Sequence, residues 1–328
     1  MPQKYRIILL LLPLFPMVFS VSCSKTYSVA PLPGPLATPT PSPTPSTPPT
    51  PNCAAHPLVT HWGAIGSGNG QLNYPNAVAV GTDGNIYAAD TNNFRVEVFT
   101  PGGAYVAQWG SYGTGGNGTF AVPTGIAADA LGHIYVSDAS THLIQKFSLA
   151  GAFLLQWGGG GTAAGQVGYP YGLGTDSSNR VFVADLTNSR ISVYTANGGY
   201  YYDWGSPGSG PGQFNNPSEV FLDNNGYAYV TDAGNFRIQK FTSAGTYVTQ
   251  WGSYGTGNGQ FESPYNCVMD KCGNICVSDD AQLRVQVFDT SGNYLYQWGG
   301  LQPTGMAVDA NGYLYAAALN AFIYKFDP

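Results

Sequence analysis

Residues 204–251 read WGSPGSGPGQFNNPSEVFLDNNGYAYVTDAGNFRIQKFTSAGTYVTQW, and the same order of features recurs along most of the chain. Trp-Gly and a glycine-rich loop come first, and Pro217 then introduces four short segments that alternate as strands with one buried face do. These segments are residues 218–222, 227–231, 236–241 and 246–250. Turn-forming residues such as DNNG at 223–226 separate them. The stretch therefore predicts a sheet of four strands.

All six tryptophans of the chain are followed by glycine, and successive tryptophans lie 47 or 48 residues apart. They are Trp62, Trp109, Trp157, Trp204, Trp251 and Trp298. A repeat of about 45 residues that holds four strands is typical of the blades of a β-propeller. The sequence therefore predicts an all-β chain in which each period forms one blade.

The two ends of the repeat region complete one blade between them. After Trp298 the chain offers only three strands, near residues 305–308, 313–317 and 322–326. Residues 56–62, HPLVTHW, match the fourth-strand position and precede the first complete unit. Pairing of this N-terminal strand into the last blade would leave no open sheet edge at the seam. We therefore predict a six-bladed propeller of 24 strands within residues 55–328.

The loop between the second and third strands carries a motif of Asp, an Asn two or three residues later, and Arg followed by Ile or Val. It occurs at residues 90–96, 185–191 and 232–238, and residues 279–285 keep it with Gln282 in place of Asn. The two remaining units depart from it: one has Thr141 and Leu143 where Asn and Arg would stand, and the last has Ala318 and no Arg. This pattern resembles the NHL repeat, and the resemblance covers residues 56–328. It implies a six-bladed propeller of the NHL/TolB-like kind.

Acidic residues at two repeated positions are interpreted as structural, because a catalytic group seldom needs so many copies. The Asp and Arg of the motif flank their loop and can brace it by charge-assisted hydrogen bonds. The pairs are Asp90 with Arg95, Asp185 with Arg190, Asp232 with Arg237, and Asp279 with Arg284. A second set of aspartates suits the first position of the turn after the first strand. This set is Asp129, Asp176, Asp223, Asp270 and Asp309.

The candidate ligand site lies where the repeat changes at the start of the first strands. The residue two places after the proline is small in four blades but is Glu219 or Asn266 in two adjacent blades. The residue just after the proline forms a polar and aromatic ring at one mouth of the central channel. This ring is Asn76, Thr124, Tyr171, Ser218, Tyr265 and Thr304. A concave mouth with a few converging polar groups is the usual place for a ligand. The alternative is that Glu219 and Asn266 only line a water-filled channel.

Few residues suit metal or covalent catalysis. The resemblance includes amidating lyases with axial histidines around zinc and lactonases with axial acids around calcium. The four histidines here are scattered over the closing strand, a turn and a loop, and Glu219 is the single axial acid. The chain has no Gly-x-Ser-x-Gly elbow, phosphate-binding loop or catalytic Cys/His setting. We predict no metal, cofactor or catalytic residue; the alternative is a lyase or hydrolase acting around Glu219 and Asn266.

The N-terminus has the layout of a secretory signal. Lys4 and Arg6 precede an apolar run over residues 7–21, which is short for a membrane span. Residues 20–23, SVSC, resemble the bacterial lipobox, with Ser20 where Leu is usual. We predict a signal peptide over residues 1–22, then a lipid anchor on Cys23 and a Pro/Thr/Ser-rich spacer over residues 23–54. An ordinary cleaved signal and an uncleaved anchor are the alternatives.

Charge argues against nucleic acid as a partner, since 12 basic residues face 18 acidic ones and the net charge is −6. The predicted loops are instead rich in Gly, Asn and Tyr. Their tyrosines include Tyr74, Tyr112, Tyr169 and Tyr254. We expect a monomeric protein of the bacterial cell envelope, lipid-anchored to a membrane outside the cytoplasm, that binds an unidentified protein or glycan through its loop face.

The cysteines other than Cys23 leave two interpretations open. Cys267 and Cys276 fall on the two arms of one hairpin, so they form either a disulfide or two buried free thiols in a compartment expected to be oxidising. Cys272 lies between them, and Cys53 ends the spacer. The spacing of the last three cysteines gives only a weak indication of a metal site, because two of them should lie within strands.

Overall fold

The computed structural model describes residues 56–328, which form six antiparallel sheets of four strands each. The chain begins with β1 (Leu58–Trp62). Blade 1 is β2 (Pro75–Val80), β3 (Ile86–Asp90), β4 (Arg95–Phe99) and β5 (Tyr105–Trp109). Blade 2 is β6 (Pro123–Ala128), β7 (His133–Asp138), β8 (Leu143–Ser148) and β9 (Phe153–Gly158). Blade 3 is β10 (Pro170–Thr175), β11 (Val181–Asp185), β12 (Arg190–Tyr194) and β13 (Tyr200–Trp204).

The second half of the chain repeats this order after a short parallel pair, β14 (Ser206–Pro207) and β15 (Gln213–Phe214). Blade 4 is β16 (Pro217–Leu222), β17 (Tyr227–Asp232), β18 (Arg237–Thr242) and β19 (Tyr247–Trp251). Blade 5 is β20 (Pro264–Met269), β21 (Ile275–Asp279), β22 (Arg284–Phe288) and β23 (Tyr294–Gly299). Blade 6 is β24 (Pro303–Val308), β25 (Leu314–Ala318), β26 (Phe322–Phe326) and β1. Single turns of 3-10 helix at Thr91–Asn93, Ala233–Asn235 and Asp280–Gln282 join second to third strands.

The blades form a closed ring. The first strand of each blade contacts the first strands of both neighbours, in the order β2, β6, β10, β16, β20, β24 and back to β2. β1 pairs antiparallel with β26, with Trp62 opposite Ile323, so the N-terminal strand is the fourth strand of blade 6. The prediction of an all-β, six-bladed propeller is therefore confirmed.

Apolar side chains fill the interfaces between blades. Each of six buried clusters joins residues of two neighbouring blades. The tryptophan that ends a fourth strand lies against a glycine in the turn before the fourth strand of the next blade. A Cβ on Gly245, for example, would come within 2.5 Å of Trp204, and Gly245 also has a φ of +86°. Gly103, Gly151, Gly198 and Gly292 meet the preceding tryptophan in the same way. Only glycine satisfies both requirements.

The four Asp–Arg pairs of the repeat motif hold more than their own loop. Arg237 Nε donates to Asp232 Oδ2 at 2.7 Å, and both residues are buried. The rest of the Arg237 guanidinium donates to the carbonyls of Ser209, Gly210 and Gln213 at 2.7–3.0 Å. These carbonyls belong to the glycine-rich loop that leads into the first strand. The pairs of Arg95, Arg190 and Arg284 make equivalent bonds, so each pair fixes the loop that begins its blade.

Replacing Arg237 with Ala should lower the stability of the protein by about 3–5 kcal/mol, because it leaves the buried Asp232 carboxylate without its cationic partner and three loop carbonyls without a donor. Thermal unfolding followed by circular dichroism measures the effect. Lys271→Ala, which changes an exposed cation on a turn, is the control. A melting temperature equal to that of the control would contradict a structural role for the pair.

Blade 1 departs from the repeat at Glu97. The matching residue in blades 2, 4 and 5 is glutamine, which accepts from a loop N–H and donates to a loop carbonyl. Glu97 Oε1 accepts from Gly70 N at 2.7 Å, but the buried Oε2 has no hydrogen-bond partner. Burial raises the pKa of Glu97 to about 7, against the opposing effects of the Gly70 hydrogen bond and the Arg95 charge.

Glu97→Gln should therefore stabilise the protein, and the gain should grow with pH. The folded pKa lies above the ordinary value of 4.5, so the stability that Glu97 contributes is complete below pH 4.5 and is lost as pH rises through 7. At pH 8 the gain reaches at most about 3 kcal/mol. Melting temperatures of Glu97→Gln and of the exposed Asp327→Asn control, measured from pH 5 to pH 8, test this. If the melting temperatures of Glu97→Gln and wild type differ by the same amount at every pH, Glu97 does not titrate in this range.

The cysteines in the described part of the chain resolve one open question. Cys267 and Cys276 are buried free thiols. The register places Cys276 opposite Val268, one residue from Cys267, so the two thiols point to opposite faces of the sheet. Cys272 is disulfide-bonded.

The predicted signal peptide, the lipidation site Cys23 and the spacer that ends after Cys53 lie outside the described residues. Within residues 56–328, no helix has the length and apolar character needed to cross a lipid bilayer.

Candidate functional site

The predicted axial residues all lie where the first strands begin. This end of the ring is the loop face, which carries the glycine-rich loops and the loops between second and third strands. The opposite end is the turn face, which carries the turns that follow the first strands. The residues just after the proline make two kinds of contact, which alternate from one blade to the next.

Blades 2, 4 and 6 contribute a hydroxyl that ties neighbouring blades together. Thr124 donates to the carbonyl of Pro170 at 3.1 Å, Ser218 to that of Tyr265 at 2.8 Å, and Thr304 to that of Pro75 at 2.8 Å. All three side chains are buried. Each hydroxyl thus bonds to the first strand of the next blade.

Blades 1, 3 and 5 contribute side chains that meet on the axis. Tyr171 and Tyr265 lie edge to face with ring centroids 5.6 Å apart, and their hydroxyls are hydrogen-bonded to each other. The Tyr265 hydroxyl also donates to Asn76 Oδ1, and Asn76 Nδ2 donates to the Tyr171 hydroxyl at 3.4 Å. These three residues, which we call the axial plug, close a cycle of hydrogen bonds across the mouth of the channel.

Glu219 and Asn266 lie one residue further along their strands, inside the channel. Asn266 Nδ2 donates to Glu219 Oε2 at 2.6 Å, and the backbone N–H of Val220 donates to Oε1 at 2.9 Å. The Glu219 side chain has room because the neighbouring blade has Gly172, where a Cβ would come within 2.8 Å of Glu219. The structure therefore brings together the two residues at which the repeat changes.

The channel makes the Glu219 carboxylate costly to ionise. The channel encloses about 190 Å³, and most residues that line it have apolar side chains, among them Ala77, Ile126, Leu173 and Met306. Burial raises the pKa of Glu219 to about 8, although the bonds from Val220 and Asn266 favour the charged form. Towards the turn face the channel shares Leu222 and Val268 with a depression of about 530 Å³ between blades 4, 5 and 6.

A second group of side chains surrounds the plug on the loop face. Tyr169 stacks on Tyr171 with ring centroids 6.2 Å apart. The phenol groups of Tyr74 and Tyr169 and the carboxylate of Asp280 all lie near enough to act on the pKa of Tyr171, which burial raises. Tyr74 is 46% exposed and is held at a φ of +59°, a strained backbone conformation for a tyrosine. We call Tyr74, Tyr169, Tyr171, Tyr265 and Asp280 the tyrosine cup.

The pKa values of three phenols of the tyrosine cup and of its one carboxyl group are raised. Burial raises the pKa of Tyr74 and Tyr169, and the charge of Asp280 adds to the effect on Tyr74. Burial also raises the pKa of Asp280, with a further contribution from Asp279 and an opposing bond from Gln302. The sequence analysis missed Asp280, although the Asp279-Asp280 doublet occurs in no other blade.

The arginine and lysine side chains of residues 56–328 make their contacts outside the tyrosine cup. Each arginine there forms an ion pair with an aspartate. Lys146, Lys240 and Lys325 each lie over tyrosine rings and donate to a carbonyl of the next blade. Lys271 lies on the turn face. The tyrosine cup therefore presents aromatic rings, hydroxyls and one carboxyl group to solvent.

Two family models match the sequence. The NHL repeat matches residues 72–99 and 120–147, and a family described as a 6-bladed beta-propeller matches residues 172–246. The chain is a six-bladed β-propeller in which two segments, in blades 1 and 2, match the NHL repeat. A comparison with curated proteins gives no match.

Solved structures with the same fold include enzymes of different kinds. A gluconolactonase from Xanthomonas campestris is 15% identical with a TM-score of 0.62, and the alignment covers 79% of this chain and 88% of that one. A catalytically inactive virginiamycin B lyase from Staphylococcus aureus is 14% identical with a TM-score of 0.58, over 84% and 98% of the two chains. Hydrazine synthase of Kuenenia stuttgartiensis is 11% identical with a TM-score of 0.55, over 80% and 98%. At these identities the likeness shows the fold alone.

Glu219→Ala should reduce the pH dependence of stability between pH 5 and pH 9. The raised pKa means that the stability contributed by the protonated carboxyl is complete below pH 4.5 and is lost as pH rises through 8. The wild type should therefore lose about 4 kcal/mol more than the variant over this range. Chemical unfolding at several pH values measures this. Glu262→Gln, which changes a carboxylate outside the channel, should behave as wild type, and a Glu219→Ala curve parallel to wild type would contradict the shift.

Proposed function

We propose that this protein is a binding module of the cell envelope that holds a glycan on the tyrosine cup of its loop face. The observation that carries the proposal is the cup itself, in which four tyrosines and one carboxyl group surround the propeller axis. Tyrosine offers a flat apolar face together with a hydroxyl that donates and accepts hydrogen bonds. A sugar ring presents the matching combination of C–H faces and hydroxyl groups.

The electrostatics of the tyrosine cup narrow the class of glycan. The phenols are neutral, Asp280 is the single acid, and the nearby cations of the described residues are already paired. A strongly anionic polysaccharide would find no free cation there. A neutral glycan or one with amino sugars fits this surface better.

The wider loop face adds apolar contact area around the tyrosine cup. Ile65, Tyr112 and Tyr254 are each more than 60% exposed in the glycine-rich loops. Phe94 and Phe236 support the two tyrosine rings at centroid distances of 5.0 and 4.9 Å. Exposed aromatic residues held in place by neighbours are typical of surfaces that contact a large ligand. This arrangement supports an extended oligosaccharide over a small metabolite.

The location outside the cytoplasm belongs to the same proposal. The predicted signal peptide and Cys23 would deliver a lipid-anchored chain, and the spacer would hold the propeller away from the membrane. The disulfide of Cys272 supports an oxidising compartment, because disulfides seldom persist in the cytoplasm. We expect a monomer that reaches its ligand with the loop face free.

Tyr74→Ala and Tyr169→Ala should each weaken glycan binding about tenfold, since each removes one stacking face. An array of soluble oligosaccharides, followed by calorimetry with the best-bound one, provides the measurement. The matched control is Tyr201→Ala, which removes an exposed tyrosine from the outer strand of blade 3. Binding unchanged in both cup variants, or no binding to any neutral or amino sugar, would refute the proposal. Capture of an envelope protein in place of a glycan would do the same.

A lyase or hydrolase is the second candidate, supported by Glu219. A carboxyl group with a pKa near 8 beside an amide donor suits general acid–base catalysis at neutral pH. The fold is shared with a lyase and a gluconolactonase, which supports it by analogy only. The axial plug separates Glu219 from the loop face, so a substrate would have to enter from the turn face. The Glu219→Ala variant separates the candidates, because it should leave glycan binding on the cup intact.

A further inference from the structure

The seam between blades 5 and 6 contains a residue that has no counterpart in the other blades. His56 lies six residues before Trp62, the position that glycine occupies before each of the other five tryptophans. Its ring lies against Trp298 at a centroid distance of 4.8 Å, where the other blades place the glycine turn. Its Nδ1 bonds to the carbonyl of Asp327 at 3.0 Å, which directs Nε2 into blade 5.

Blade 5 differs from the other blades at the second-strand position next to His56. In blades 2, 4 and 6 a buried tyrosine of the second strand donates its hydroxyl to the aspartate of the turn. Blade 5 has Cys276 in that strand position and Asp270 in the turn. The smaller side chain leaves the space that the His56 ring now occupies. His56 Nε2 lies 3.6 Å from Asp270 Oδ2, and both side chains are at most 2% exposed.

Three different ligand types therefore converge in a buried position. One ligand atom each from His56, Asp270 and Cys276 lie within 4.8 Å of one another, and all three residues are buried. Tyr296 of the same blade lies close enough for Asp270 and Cys276 to affect its pKa. This group of four residues is the seam cluster.

Two polar atoms of the seam cluster have no hydrogen-bond partner. They are His56 Nε2 and the Tyr296 hydroxyl. A buried polar atom without a partner is destabilising, so two of them side by side leave room for a bound water or ion. Asp270 Oδ1 accepts from the N–H groups of Cys272 and Asn274, whereas Oδ2 accepts from Asn274 Nδ2 at 3.0 Å and faces His56 Nε2 at 3.6 Å.

We propose that the seam cluster binds a zinc ion through His56 Nε2, Asp270 Oδ2 and Cys276 Sγ, with the Tyr296 hydroxyl or a water as the fourth ligand. Zinc takes nitrogen, sulfur and oxygen ligands in tetrahedral sites, whereas calcium and magnesium select oxygen alone. A neutral imidazole, a carboxylate and a thiolate balance the charge of Zn²⁺. The thiol proton leaves to solvent on binding, so the affinity falls as pH falls.

The zinc ion would join the N-terminal segment to a blade other than the one that β1 completes. β1 pairs with β26 in blade 6, whereas Asp270 and Cys276 belong to blade 5. A thiolate at the buried Cys276 position needs a cation beside it, which the zinc ion would supply. The seam cluster shares no residue with the tyrosine cup, and the zinc proposal does not depend on the proposed glycan binding.

The test uses the full-length chain without a histidine tag, stripped with a chelator and freed of thiol reductants, which bind zinc themselves. Added Zn²⁺ should bind at one ion per chain and raise the melting temperature by about 5 °C at a hundredfold excess over Kd. His56→Phe, which keeps a ring against Trp298, and Cys276→Ala should abolish both effects. Cys267→Val, which removes the other buried thiol, should retain them.

Zinc binding of equal strength in His56→Phe and wild type, or no binding to wild type, would overturn the proposal. A water molecule between His56 and Tyr296 is then the better account of the unpaired atoms. If the variants fail to fold, Co²⁺ bound to the wild type decides the matter. A thiolate-to-cobalt charge-transfer band in the near ultraviolet supports ligation by Cys276, and a spectrum without that band contradicts it.

Discussion

An indole ring lying against a glycine turn joins each blade of this protein to the next, and the rest of the fold depends on that contact. The turn must have a positive φ and no side chain, as Gly245 beneath Trp204 shows. Because the contact links fixed positions in successive blades, it sets the spacing of 47 or 48 residues between tryptophans. A ring of such contacts needs a substitute where the chain ends meet, and His56 against Trp298 supplies it.

The blade count and strand order were predictable from the sequence because both depend on contacts that repeat at a constant interval. The tyrosine cup was not, since Tyr74, Tyr169 and Asp280 come from blades 1, 3 and 5 and meet only when the ring closes. The alternation of hydroxyl ties such as Thr124 with axial side chains such as Tyr171 also depends on which neighbour each strand faces. A pattern within one repeat contains no information about side chains that converge from alternate blades.

The axial plug changes how the channel can be used. Asn76, Tyr171 and Tyr265 bond to one another across the loop-face mouth, so Glu219 lies beneath a lid made of the protein's own side chains. The same lid provides the floor of the tyrosine cup, and its hydroxyls are already satisfied. Polar ligand contacts in the tyrosine cup must therefore come from Asp280 and from the hydroxyls of Tyr74 and Tyr169. The axial plug thus separates two environments on the propeller axis. The tyrosine cup is aromatic and exposed, whereas the channel has mostly apolar side chains and the Glu219 carboxyl group, whose pKa is raised.

Blade 5 shows how the repeat tolerates such changes. It keeps Arg284 bonded to Asp279 and to three carbonyls of its glycine-rich loop, so its frame matches that of blade 4. Yet its lining positions are the most altered, with Tyr265 and Asn266 on the axis, Asp280 in the cup and Cys276 at the seam. The frame residues act through backbone atoms, whereas the altered residues face the axis, solvent or a neighbouring blade. Function can therefore vary at these positions without loss of the fold, and the departures from the repeat are where ligands and metal should be sought.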